Sequence, residues 1–283
     1  MSFVERLQAC RLFEPADYLP FLVDGSRVGL VRPEFAARLA GFPDVFEVES
    51  DWVALAPQLT GVEERGRAVR IVLRQLADEG IIRSWRDEPY AVAARPEGPL
   101  LFLMERAAIP QFAIWATGVH LNGFVRKGSD LYMWVGRRSP DKHIAPNKLD
   151  QIVAGGRSAL HGIRETLLKE AEEEAGLDAA FASRAISVGA LSYCTRRQEG
   201  LRRDILYVFD LELSPDFTPT NSDGEIAAFE LWPIEQVLER VRDTDDFKFN
   251  CALVVIDFLI RHGVLTPENE PDYLTLARGM HAG

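Results

Sequence analysis

At 283 residues the chain is long for one ordinary domain and comfortable for two, and its 47% hydrophobic and 27% charged residues are the balance of a globular protein. A formal charge of −11 argues against a nucleic-acid backbone as partner, because affinity there comes from neutralising phosphates. No stretch approaches the apolar length of a membrane span, and three scattered cysteines (Cys10, Cys194, Cys251) have no metal spacing and suit a reducing compartment.

The amino terminus, MSFVERLQACRLFEP, mixes charges into its first turns, which is neither a secretory nor a transit pattern, so the expected location is cytoplasmic. Ser2-x-x-Glu5 is a capping-box pattern that starts a helix over about residues 3 to 11. PFLVDGSRVGLV reads as two strands about an Asp24-Gly25 turn. Pro33 can open a second helix, and Val45 to Val48 alternates like a strand. Thr60-x-x-Glu63 reads as another capping box, with Val69, Val72, Leu73 and Leu76 as the helical stripe and Gly80 as its stop. Trp52, Trp85 and Tyr90 read as packing anchors, because no basic residues interleave with them.

The stretch ARPEGP at 94 to 99 breaks the pattern and is the best boundary. Beyond it the chain turns β-rich: Val119 to Val125 and Leu131 to Val135 form a hairpin across Lys127-Gly128. Ala185 to Cys194 and Ile205 to Leu213 are longer strands separated by the polar stretch TRRQEGLRR. Phe229 to Trp232 is a short strand, Ile234 to Val241 a short helix, and Asn250 to His262 a buried helix stopped by Gly263. The last fifteen or so residues are expected to be peripheral.

The most informative stretch is GGRSALHGIRETLLKEAEEEAGL, Gly155 to Leu177, a glycine-hinged loop opening into a helix that stops at Gly176. Glu170, Glu172, Glu173 and Glu174 crowd its last turn, where the helix dipole already disfavours carboxylates. Glu170, Glu173 and Glu174 share an arc of roughly 100° beside an apolar stripe of Ile163, Leu167, Leu168, Ala171 and Ala175. Glu165 and Glu172 point elsewhere. A shared hard cation explains the crowding most simply; an acidic, solvated helix face is the other explanation.

The order of these residues resembles the Nudix (MutT-like) signature, G-x5-E-x7-R-E-U-x-E-E-x-G-U, where U is a bulky apolar residue. Gly155, Glu170, Glu173, Glu174, Gly176 and Leu177 fall on it, while His161, Lys169 and Ala171 depart from it. VHLNGFV (119–125), WVGRRSPDK (134–142), LDQIVAGG (149–156) and FKFNCALVVIDFLIRHG (247–263) look like the Nudix branch related to thiamine pyrophosphokinase-associated proteins with an extra N-terminal domain.

The resemblance implies an α/β (α+β) fold: a Nudix α/β/α sandwich with a mixed sheet over 99–283, preceded by a smaller α+β accessory domain over 1–98. That accessory domain is expected to cover one side of the substrate cleft or an interface. It also implies a hydrolase that cleaves a diphosphate linkage and needs Mg²⁺ or Mn²⁺. Glu170, Glu173 and Glu174 are the expected metal ligands, with Glu173, Glu174 and Glu225 catalytic. Glu225 is the expected general base and Glu230 the runner-up; an exposed carboxylate is the alternative for both. His161 either replaces the missing first glutamate or is surface. Gly155 and Gly156 would let backbone approach cation or phosphates, and Arg137, Arg138 and Lys142 would clamp phosphate unless they are ordinary cationic surface. Lys248 and Asn250 resemble a branch-typical stretch without a derivable role. The implied partner is a small thiamine-type or nucleoside diphosphate, with no nucleic acid and no membrane, and a homodimer stays open. The rivals are ADP-ribose, dinucleotides or oxidised nucleotides as substrates, or a non-catalytic binding or regulatory module.

Overall fold

The computed structural model describes residues 2–142 and 144–281. Helix α1 (Phe3–Ala9) starts at Ser2, whose hydroxyl accepts from Glu5 N while the Glu5 carboxylate accepts from Ser2 N. The chain then forms β1 (Leu19–Val23), β2 (Ser26–Val31), α2 (Pro33–Leu39), β3 (Phe46–Val48), β4 (Val53–Leu55) and α3 (Val62–Asp78). β1 and β2 close about Asp24-Gly25, both at positive φ, as the sequence requires of so tight a turn. Their sheet has the order β2-β1-β4-β3, and α3 lays Val69, Val72, Leu73 and Leu76 into the same core. The capping box expected at Thr60 does not form. Gly61 is the N-cap, and Glu64 rather than Glu63 accepts from Thr60 N.

A two-stranded ribbon follows, β5 (Pro89–Val92) paired with β6 (Phe102–Glu105), so residues 94–99 form the turn inside one small sheet. Then come α4 (Ile109–Phe112), β7 (Trp115–Lys127), β8 (Asp130–Arg138), β9 (Leu149–Asp150), β10 (Val153–Gly156), α5 (Ile163–Ala175) and α6 (Ala179–Ala182). The chain finishes with β11 (Ile186–Arg197), β12 (Gly200–Glu212), β13 (Ile226–Pro233), α7 (Ile234–Asp243), α8 (Phe249–Arg261) and α9 (Tyr273–Gly279).

Seven of these strands make a mixed sheet, with β11-β12-β7-β8-β13 as its path and β10 and β9 added on β7 and β8. β7 and β12 run parallel, while the other pairs are antiparallel. One face packs Val119, Leu121, Ile152 and Val153 against Leu167, Ala171 and Ala175 of α5. The other packs Phe124, Met133, Leu191 and Val208 against α7, α8 and α9. The expected α/β/α sandwich behind an α+β unit is thus the observed architecture.

Two local readings need correction. TRRQEGLRR is not a loop: β11 and β12 run through it, leaving only Gln198 and Glu199 as the turn. Its arginines stay in strands because their heads find carboxylates and rings, as Arg202 does on Asp204 and Arg197 over Phe249. The C-terminal segment is not peripheral either, since Leu276 and Met280 of and after α9 are fully buried. Helix α1 packs away from the strands that follow it. Phe3, Leu7 and Cys10 join the core formed with α7, α8 and α9, so the chain's first helix closes the sandwich at its far end.

Candidate active site

Helix α5 sits where Glu174 points inward. The residue is 3% exposed, and its carboxylate accepts from Ala154 N at 2.8 Å, tying the helix to β10. The free carbonyls at the C-terminal end of α5 are taken up by the segment 220–222. Thr220 N donates to Ala175 O (3.1 Å), Ser222 N and Oγ to Glu173 O (3.0 and 2.8 Å), and Asn221 Nδ2 to Glu174 O (3.4 Å). Gly176 is left-handed, with φ 66°, and a side chain there would collide with Thr220, so glycine permits this docking. The segment then turns at Gly224 and delivers Asp223 and Glu225 beside Glu174; one ligand oxygen of each lies within 4.8 Å of the others.

Burial pushes the Glu174 carboxyl up to about 8 against the Ala154 N–H, and the neighbouring charges of Asp150, Glu170 and Glu225 push the same way. Glu170 is also raised, chiefly by burial, with Lys169 opposing it and Glu173 and Glu225 adding to it. An all-oxygen donor set crowded to that degree fits a hard divalent cation, which would relieve the repulsion among them.

A second trio, His120, Asp150 and Cys251, is close enough to hold an ion but is built differently. Asp150 is buried between Arg138 Nη1 (2.9 Å) and Lys248 Nζ (3.6 Å), and it accepts from Cys251 Sγ (2.7 Å) and Gln151 N (3.0 Å). His120 Nδ1 meets Gln151 Oε1 at 2.7 Å, and burial pushes its pKa down to about 4. Two resident cations already neutralise the one carboxylate. This cluster is a buried polar network joining β7, β9 and α8, and the oxygen-only trio is the better cation site.

Glu170 and Glu174 stand close to Glu225, and Gly155 lets Glu170 lie flat against β10, where a Cβ would overlap its carboxylate. Glu173 is outside the trio: it reaches the cavity rim, half-exposed and ion-paired with Lys169 at 2.5 Å. Asp223, and not the helix neighbour Glu173, lies with Glu225 beside Glu174. Its signal was the D-G-E spacing that also contains Glu225.

The expected clamp of Arg137, Arg138 and Lys142 does not assemble. Arg137 lies outside the cavity, donating to Asn147 O (3.3 Å) beside Glu230 (3.8 Å). Arg138 edges the cavity, yet its three nitrogens are spent on Ala145 O, Ile144 O and Asp150. Successive strand residues face opposite ways, so Arg137 and Arg138 of β8 could not share one face. Lys142 does line the cavity, ion-paired with Glu225. Glu230 turns away and accepts from Trp232 Nε1. His161 stands exposed on the rim, while the turn before α5 is steadied by Glu165, which accepts from Gly162 N at 2.8 Å.

Glu170, Glu173, Asp223, Glu225, Arg138, Lys142 and His161 line a cavity of about 500 Å³. Its opposite wall comes from the first hundred or so residues: Arg86, Asp87, Glu88 and Pro89 at the start of β5, and Arg106 after β6. Buried Glu105 holds that lip by accepting from Arg86 N (3.0 Å) and Glu88 N (3.2 Å), and Ala159 N of the loop after β10 donates to Pro89 O (2.8 Å). No local pattern marks these residues as functional; only the fold brings them to the cleft. Lys248 and Asn250, which had no derivable role, line the same cavity.

Sheet and helix layers define an α/β/α sandwich, with a cavity of mixed charge beside the C-terminal end of α5. The profile described as "NUDIX domain" matches residues 115–253, and one described as "Domain of unknown function (DUF4743)" matches 2–116. The chain is 42% identical to "Nudix hydrolase 24, chloroplastic" of Arabidopsis thaliana over 100% of its own length and 78% of that protein's. It is 41% identical to "Nudix hydrolase 20, chloroplastic" of the same plant, covering 97% of this chain and 76% of that one. An uncharacterized protein of Saccharomyces cerevisiae is 34% identical, with 95% of this chain and 84% of that protein covered. The chain belongs to the Nudix hydrolase family, with an N-terminal accessory unit ahead of the catalytic fold. The expectation of a cytoplasmic location is overturned by the two plant relatives, which are chloroplastic by name. Among the described residues no helix is long and apolar enough to cross a membrane.

Proposed function

We propose that this hydrolase cleaves the diphosphate of a small organic molecule, with Mg²⁺ or Mn²⁺ held by Glu170, Glu174 and Asp223. The observation that carries the reading is the cluster of Glu174, Asp223 and Glu225, of which Asp223 and Glu225 line a cavity shared with Glu170 and with cationic side chains. When bound, the cation would neutralise phosphate oxygens and make a water more acidic. Glu225, its carboxylate aimed by Lys142, accepts the proton of the attacking water. Glu173 at the rim, through its pair with Lys169, keeps that lysine directed at the cavity mouth.

As substrate we put a thiamine-type diphosphate first, on the resemblance of residues 119–125, 134–142, 149–156 and 247–263 to that branch. The test is phosphate release from thiamine diphosphates, nucleotide sugars, ADP-ribose and oxidised nucleotides with Mg²⁺ or Mn²⁺. Glu174→Gln and Asp223→Asn are expected to lower turnover on the order of 100-fold, and Glu225→Gln about as much. Full activity in the Glu174 and Asp223 variants would remove the assignment; turnover of nucleotides alone would remove thiamine.

A further inference from the structure

Gly155 and Gly156 end strand β10 as a ribbon without side chains. Successive strand positions face opposite ways. Glu170 packs on the ribbon at Gly155, and Tyr90 and Arg106 pack on it at Gly156, where a Cβ would overlap the Tyr90 hydroxyl and lie 3.3 Å from Arg106 Nη2. β10 hydrogen-bonds to β7, and the cavity wraps the ribbon, touching Glu170 on one side and Arg106 on the other. Gly155, Gly156, Glu170 and Arg106 all line that one cavity.

Arg106 is oriented from within its own unit. Its Nη1 donates to Glu88 Oε2 at 2.7 Å, its backbone N to Glu88 O at 2.9 Å, and its guanidinium lies 5.8 Å from the Tyr90 ring centroid. Among the described residues Nη2 makes no hydrogen bond, and it is the atom turned toward Gly156. A guanidinium with one edge anchored and the other presented to a cavity suits phosphate oxygens.

We infer that Arg106, which lies in the N-terminal segment matched over residues 2–116, binds the non-bridging oxygens of the substrate phosphate that lies farther from the acidic trio. The inference rests on the diphosphatase reading and deepens it: the N-terminal unit then contributes to the substrate site, and Gly156 is bare where Arg106 lies against it.

The experiment compares wild type with Arg106→Met and Arg106→Lys, using calorimetric binding of methylenediphosphonate in Mg²⁺ beside steady-state kinetics on the best diphosphate of the panel. The expected result is a roughly 10- to 100-fold rise in both Kd and KM for Arg106→Met. Arg106→Lys should recover part of it, and the Mg²⁺ concentration for half-activation should hold. Far-UV circular dichroism establishes that each variant is folded; should Arg106→Met fail there, Arg106→Lys carries the comparison, because it keeps the charge and loses the fork. Folded variants with wild-type Kd and KM would overturn the inference and leave the diphosphatase reading standing. A wild type that neither binds the analogue nor turns over any diphosphate would remove both.

Discussion

The carboxylate of Glu170 lies against the bare α-carbon of Gly155, in space that any side chain on that residue would take. Gly155→Ala is therefore expected to displace Glu170 rather than unfold the protein, because the far end of a flexible side chain gives way first. Displacement of about 1 Å costs on the order of 100-fold in rate. The check is kcat with thermal unfolding measured in parallel: a large loss of kcat with Tm nearly unchanged is the expected pair, and an unchanged kcat would mean that Glu170 is not required where it stands.

Burial of His120 sets a pH dependence of stability. Its pKa falls from an ordinary 6.5 to about 4 in the folded chain, so between those values the unfolded state binds more protons. Stability then declines as pH drops through that window, by roughly 1.4 kcal/mol per unit at most. Asp150 is shifted in the direction that adds to the loss at lower pH, its carboxyl held at about 2 against an ordinary 3.8. Urea unfolding at pH 7, 6, 5 and 4.5 measures the slope; His120→Asn is expected to be less stable at pH 7 and to show a flatter profile between 6.5 and 4.5.

Arg138 belongs to the architecture rather than to the substrate. It is buried, and its guanidinium joins Asp150 to the carbonyls of Ile144 and Ala145. Asp150→Asn leaves Arg138 and Lys248 without their countercharge, which is expected to cost about 3–5 kcal/mol. Arg138→Met should lose stability by a similar amount. Half-exposed Arg137→Ala, by contrast, should stay within about 0.5 kcal/mol of wild type. Chemical denaturation separates the three; a KM effect of Arg137→Ala on a fully stable protein would restore the clamp expected from sequence.

Leu7, near the start of the chain, packs its side chain against Gly279 near its end. Leu7→Ala is expected to destabilise by about 2–5 kcal/mol, the range for emptying a buried leucine site. The unfolding should be that of the sandwich core with α7, α8 and α9, which places α1 energetically with the C-terminal layers. Hydrogen exchange would show it: faster exchange in α8 and α9 with the strands of β1 to β4 unaffected. Loss confined to β1 to β4 would contradict the packing.

What could be read without coordinates was what short-range chemistry controls. The Asp24-Gly25 and Lys127-Gly128 turns, the stop at Gly176, and the arc of Glu170, Glu173 and Glu174 depend on residues within a few positions of one another. Backbone conformation and helical phase are local, so they were legible. The acidic trio itself was only half legible. Helical phase groups Glu173 with Glu174, but the loop that takes up the end carbonyls of α5 puts Asp223 and Glu225 on Glu174 and leaves Glu173 to Lys169.

Long-range packing decided the rest. Arg138 read as a phosphate ligand because its sequence neighbours are cationic, whereas strand alternation turned it onto Asp150. Arg202 and Arg203 read as loop because their charge masks a strand, and partners supplied by the sheet keep them in it. Arg106 and Glu88 carry no motif at all; they reach the cleft because the β5–β6 ribbon is docked there through Ala159 and Pro89. Residue type and spacing therefore determined which chemistry this chain can perform and which helix carries it. Tertiary structure alone decided which carboxylates converge and which cations face them, because those contacts join positions dozens of residues apart that no periodicity connects.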